Sequence, residues 1–190
     1  MFFAIWPDRA AGERLAALAR DTAARTQGRA PRADSVHATL AFIGETSFER
    51  IAALCAIGAA VAPRTPPFVL TLDRVGTFRG SGIAWAGAST PPAELMALAR
   101  DLADALTADG FAVERRPFTP HVTLARRCKA PNLATVGAPI AWPVTRLVLN
   151  ASLAAADGRQ YPEVAAWPLG PPRAAIPTPE RASSRASHRN

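Results

Sequence analysis

The chain has 190 residues, of which 49% are apolar, so it can bury one sizeable core or two small lobes. No apolar run approaches the ~20 residues a bilayer-spanning helix requires, and Phe2–Trp6 is too short for the apolar core of a secretion signal. The formal charge is +7, but the four arginines and one glutamate of residues 171–190 supply +3 of it, so the folded part carries only about +4. That is a modest positive surface, not the large one of a general nucleic-acid binder.

Phe2–Trp6 reads as a short buried strand, and Asp8 as the N-cap of a helix running to about Arg25 with Leu15, Leu18 and Ala19 along one face. Gln27–Asp34 reads as a loop, and Ser35–Ile43 as a strand closed by Gly44. Phe48–Val61 has a helical pattern, and Phe68–Val75 is strand-like between Pro67 and Gly76. The order then repeats, with a strand at Ile83–Ala88 and a helix capped by Thr90 with Pro91 in its first turn. Gly110 ends that helix, Phe111–Val113 suits a short edge strand, and Phe118–Arg126 is a further strand. Val144–Leu153 and Gln160–Trp167 read as a closing strand pair around an Asp157-Gly158 turn. The Pro/Ser/Arg/Ala composition of 171–190 offers no core and is expected to be disordered, leaving 1–170 as the folded domain.

Two strands carry the same His-x-Thr-Leu pattern: His37-Ala38-Thr39-Leu40, and 84 residues later His121-Val122-Thr123-Leu124. The chain has only three histidines, and the third, His188, lies in the tail, where it is expected to be solvated. Strand parity puts His37 beside Thr39 on one face and Val36, Ala38, Leu40 and Phe42 on the other; His121 likewise shares a face with Thr123. An imidazole exchanges protons near neutral pH, and a hydroxyl two residues on donates a hydrogen bond to an oxyanion. In-line displacement at a phosphodiester needs a base on one side of phosphorus and an acid on the other. Two His/Thr pairs on related lobes meet that need.

No metal or other cofactor is expected. Two histidines are too few for a stable zinc site, and no HxxE, HxH or CxxC spacing adds ligands. Cys55 reads as core, and Cys128 follows the second motif closely but has no partner that suggests a nucleophile; two unpaired cysteines suit a cytoplasmic, reducing compartment.

With these residues the chain resembles the 2H phosphoesterase superfamily, and within it the RNA 2′,3′-cyclic phosphodiesterases, also called 2′-5′ RNA ligases, of the LigT type. The resemblance spans about residues 1–169. It rests on Phe2-Phe3-Ala4-Ile5, on His37 to Gly44, and on Arg116-Pro117-Phe118-Thr119-Pro120-His121-Val122-Thr123-Leu124. Leu147 to Ser152 and Tyr161 also fit. Ala38, Asn150 and Val164 depart from the pattern, which usually has a larger apolar residue, an aromatic and a leucine there.

The resemblance implies an α+β, bilobal fold with an antiparallel sheet in each of two pseudo-symmetric lobes and a cleft between them. It implies hydrolysis of RNA 2′,3′-cyclic phosphate ends to 2′-phosphomonoesters, with His37 as proton donor, His121 as proton acceptor, and Thr39 and Thr123 on the phosphate oxygens. The partner it implies is an RNA end or a related nucleotide, acted on by a monomer. The reverse 2′-5′ ligation would use the same histidines.

Secondary candidates for substrate contact are Arg126, Phe42, Arg116 and Ser152. Strict alternation sends Arg126 to the face opposite His121, so a bulge or strand end must bring it round. Alternation also sends Phe42 to the apolar side with Leu40, which favours core over base stacking. Two alternatives stay open: a nucleotide or RNA-end binding protein, and a hydrolase of another cyclic or 2′-5′ linked phosphodiester.

Overall fold

A computed structural model describes residues 1–78, 80–114, 116–130, 133–155 and 158–171. The tail beyond 171, with His188, and Asp157 of the expected turn lie outside the described residues.

The strands are β1 (Phe2–Ile5), β2 (Ala38–Phe42), β3 (Phe68–Leu72), β4 (Arg74–Phe78), β5 (Ile83–Gly87), β6 (Val122–Ala125), β7 (Ile140–Val144), β8 (Arg146–Asn150), β9 (Leu153–Ala155), β10 (Gly158–Gln160) and β11 (Glu163–Pro168). The helices are α1 (Arg9–Thr26), α2 (Phe48–Val61) and α3 (Ala93–Ala108). One antiparallel sheet runs β11-β8-β1-β2 and a second β4-β5-β6, with the pairs β3-β7 and β9-β10 beside them. This is the expected α+β architecture, and each main sheet holds one His-x-Thr strand.

Local chemistry accounts for the helices. The Asp8 carboxylate accepts from the Ala11 N–H at 2.8 Å and so caps α1. Leu15, Ala16, Ala19, Thr22, Ala23 and Thr26 form its buried face; the Thr22 and Thr26 hydroxyls escape the burial penalty by donating back to the Leu18 and Thr22 carbonyls. α2 buries Leu54, Ile57 and Val61, and brings Gly58 so close to the Trp167 ring that a Cβ there would lie 2.3 Å from it. α3 buries Leu95, Leu98, Leu102 and Leu106.

Three expectations need correction, and one strand lies outside them all. The strand expected over Phe68–Val75 breaks at Asp73, whose carboxylate is taken by the Ser89 backbone N–H and hydroxyl, and continues as β4 in a different sheet. α3 begins after Pro92, not after a Thr90 cap, and no side chain caps it. Phe111–Val113 is not a strand; Phe111 is instead buried under the Arg50 guanidinium, 3.7 Å from its ring centroid. β7 was not expected at all, because Pro143 sits inside it, tolerated where only β3 pairs with the strand.

The halves are interlocked. α1, which follows β1, packs on β6 and β7, whereas α3, which follows β5, packs on β2 and β3. Each His-x-Thr strand is thus backed by the helix of the other half, and β2 and β6 touch directly. One continuous apolar cluster runs from Phe3, Ile5 and Leu15 through Leu70 and Trp142 to Val122 and Leu124.

Candidate active site

The two motifs end in matched geometry. His37 and His121 each stand one residue before a strand, not within it. The Nδ1 of each lies 2.8 Å from the carbonyl oxygen two residues earlier, Ser35 for His37 and Thr119 for His121. A carbonyl only accepts, so Nδ1 carries the proton in both rings and Nε2 is left for chemistry.

A cavity of about 120 Å³ is lined by His37, Thr39, His121 and Thr123 together with Arg126, Tyr161, Ser35 and Pro31. The pairs predicted from strand parity therefore converge on one small space. The hydroxyls of Thr39 and Thr123 make no hydrogen bond to any described residue, and both side chains are half-buried. Among the described residues no three His, Cys, Asp or Glu side chains cluster as a metal-binding group. A wider groove of about 430 Å³ lies along the start of α1, where Asp8 serves as a cap, Arg9 pairs with Glu13 and Asp34 with Arg32, and where Arg20 is without a side-chain partner among the described residues.

Arg126 reaches the cavity through a β-bulge. Across β5 and β6, Trp85 opposes Thr123 and Ala84 opposes Ala125, so Leu124 has no opposite number. Leu124 and Ala125 are both fully buried, and the next side chain, Arg126, emerges on the cleft face. The other half repeats the device. Ala4 opposes Thr39 and Phe3 opposes Ala41, so Leu40 is the extra residue. Phe42, placed in the core by simple alternation, is instead 62% exposed and pairs across the sheet with Phe2, whose ring stacks on His37. Phe42 and Arg126 thus occupy equivalent places after the two motifs.

The histidines differ in their surroundings. His37 is enclosed by three rings, with centroids at 5.1 Å for Phe2, 4.8 Å for Trp6 and 5.1 Å for Tyr161. His121 has one, Phe78, edge-on at 4.8 Å. Burial lowers the pKa of both histidines, and the Arg126 charge lowers each further; the carbonyl bonds oppose this, and His121 adds to the depression of His37.

The family model described as the 2′-5′ RNA ligase superfamily matches residues 6–153. The chain belongs to the 2′-5′ RNA ligase superfamily. An Escherichia coli (strain K12) protein named RNA 2′,3′-cyclic phosphodiesterase is 36% identical over 143 residues, which are 75% of this chain and 80% of that relative. The crystal structure of E. coli LigT complexed with 3′-AMP superposes with a TM-score of 0.79 at 33% identity, covering 88% of this chain and 96% of the other. That of E. coli LigT complexed with phosphate gives 0.72 at 31% identity, covering 89% and 96%.

Within this superfamily member the other candidates lie farther out. The Arg116 side chain is 83% exposed and paired with Glu114 at 2.8 Å. Ser152 accepts from Arg159 at 2.9 Å. Neither lines the cavity. Sequence reasoning passed over Trp6 and Tyr161 as parts of the site, and over what holds them. Asn150, 2% exposed, accepts from the Trp6 indole N–H at 2.9 Å and donates to the Tyr161 carbonyl at 3.0 Å. The signal was a buried-strand amide where an apolar residue was due, since a polar group buried in a sheet must find partners. No helix among the described residues is long and apolar enough to cross a membrane.

Proposed function

We propose that this cleft hydrolyses 2′,3′-cyclic phosphodiesters at RNA 3′ ends to 2′-phosphomonoesters by proton transfer between two histidines. The observation that carries the reading is the convergence of both His/Thr pairs and Arg126 on one cavity of about 120 Å³, with each Nδ1 locked and each Nε2 free. His121 Nε2 takes a proton from water as its oxygen bonds to phosphorus. The P–O3′ bond breaks, and the Nε2 proton of His37 passes to the leaving 3′ oxygen. Thr39 and Thr123 donate to the non-bridging oxygens, and Arg126 offsets their charge. The empty site depresses the pKa of His37, so the anionic substrate itself favours loading of the acid's proton. Relatives named RNA 2′,3′-cyclic phosphodiesterase, and a relative crystallised with 3′-AMP, support the substrate class.

We assign residues 1–170 to one bilobal domain, supported by the crossed packing of α1 and α3 and the shared core. A cytoplasmic monomer completes the proposal, with Cys55 and Cys128 both unpaired.

The test is to incubate the full chain, in EDTA, with an RNA ending in a 2′,3′-cyclic phosphate. A 2′-phosphate product is expected, and His37→Ala or His121→Ala each lowers kcat/KM by roughly 10²–10⁴-fold. No product, or turnover that survives both substitutions, refutes the assignment. Tight binding of the cyclic end without turnover would instead mark an RNA-end binding protein.

A further inference from the structure

Most cations of the described surface are spoken for. Arg9, Arg25, Arg32, Arg50, Arg64, Arg100, Arg116 and Arg146 each face a carboxylate within 4 Å. Arg20 on α1, at the wider groove, has no side-chain partner among the described residues either, but it stands alone, whereas Arg29, Arg126, Arg127 and Lys129 form a group. All four are exposed, and none has a side-chain partner among the described residues. They lie together, because Arg29 and Arg126 exchange backbone hydrogen bonds of 2.8 and 3.0 Å as an isolated antiparallel bridge. Partners across such a bridge point to the same face, so Arg29 stands beside Arg126 at the cavity mouth. Bonds from Cys128 N to the Gly82 carbonyl and from Lys129 N to the Thr26 carbonyl, 2.9 and 2.8 Å, pin the rest of the segment. Arg127 is held at φ 57°, a left-handed conformation unfavourable for a residue with a Cβ. The equivalent segment after β2, Ile43 to Glu49, contains two glutamates and no cation.

From this segregation we propose that Arg29, Arg127 and Lys129 form a cationic lip that carries the 5′-ward phosphates of the RNA strand out of the cavity. The inference rests on the phosphodiesterase reading and extends it from the reacting end to the strand behind it. A chain ending in a 2′,3′-cyclic phosphate continues in the 5′ direction alone, so any strand outside the cavity is 5′ strand. Arg126 stands at the inner end of the lip, and the equivalent segment after β2 offers no cation to compete for the strand. Arg126 to Lys129 spans at most about 11 Å at ~3.6 Å per residue. At a stacked rise of ~3.4 Å per nucleotide the lip serves about three nucleotides.

The experiment compares 2′,3′-cyclic CMP with RNA oligonucleotides of two to eight residues ending in the same group, across 50–200 mM salt. The kcat/KM is expected to climb until about four nucleotides and then level off. Three extra phosphate contacts on a single strand steepen the salt slope by about 2, so the hexamer loses roughly 20-fold across that range beyond the loss of the mononucleotide. The combined variant Arg29→Gln, Arg127→Gly, Lys129→Gln removes that excess and leaves the mononucleotide within about twofold. Arg127→Gly alone weakens the hexamer without lowering the melting temperature, since glycine relieves the left-handed backbone. Equal salt slopes for both substrates, or equal losses on both in the variant, overturn the lip. If the chain turns over neither substrate, the phosphodiesterase reading fails by itself. The lip is then decided by fluorescence anisotropy with a 3′-phosphorylated hexamer, where the same salt slope and its loss in the variant are required.

Discussion

Replacing Asn150 with leucine tests whether the His37 wall is held by one buried amide. Asn150 lies on β8 beside Phe2, accepts from Trp6 and donates to the Tyr161 carbonyl. All three of those residues place a ring within 5.1 Å of the His37 centroid. Leucine is close in size but leaves one donor and one acceptor without partners, each costing about 1–3 kcal/mol when buried. Trp6 is half-exposed, so water recovers part of its share, and we expect a net loss of about 2–4 kcal/mol. In a chain of this size each kcal/mol moves Tm by about 2–4 °C, so Tm falls by roughly 5–12 °C in a circular-dichroism melt. Trp6→Phe keeps an aromatic ring beside His37 and removes the N–H with part of the indole, but Asn150 keeps its bond to the Tyr161 carbonyl, so its loss is expected to be smaller. The double variant falls short of the summed single losses by at least ~0.5 kcal/mol if the pair acts through that bond. A melting temperature for Asn150→Leu within 2 °C of the parent value (about the effect of ~1 kcal/mol), or strict additivity of the two changes, refutes the reasoning.

Thr39→Val and Thr123→Val are expected to lower kcat/KM on a cyclic-phosphate RNA by roughly 10–150-fold each, the equivalent of one hydrogen bond to a charged group. Neither hydroxyl has a partner among the described residues, so Tm stays level; a matching fall in Tm would mean that the hydroxyls serve the fold instead. Both histidine pKa values are lowered by folding, so below the ordinary value of 6.5 the unfolded chain binds more protons than the folded one. Their contribution to stability is therefore full above 6.5 and is lost as pH falls from there through the folded values. Melts from pH 8 to pH 4.5 are expected to show a smaller acid-side loss for His37→Gln/His121→Gln than for the parent, and parallel curves would contradict the assigned burial.

What the sequence made legible was local. The Asp8 cap, the α2 boundaries and the His/Thr parity all follow from residues within one turn or one strand, and the structure places each as read. What it hid depends on partner strands and on long-range packing. The exchange of α1 and α3 between halves leaves no mark on periodicity, because a helix shows the same apolar stripe whichever sheet it covers. The bulges did leave a mark. After each threonine come two successive small or apolar residues, Leu40-Ala41 and Leu124-Ala125, where a strictly alternating strand would place only one toward the core. Read that way, the residue after them turns away from the core, and the copies differ there: Arg126 lines the cavity, whereas Phe42 is exposed without lining it. The difference between the two sides of the cleft therefore comes from what the duplicated frame presents. One side has an exposed ring, and three more rings enclose its histidine. The other has a free guanidinium beside a less enclosed histidine. Two copies of one His-x-Thr-Leu pattern cannot by themselves divide acid from base; in this chain the unequal surroundings supply the asymmetry that such a division needs.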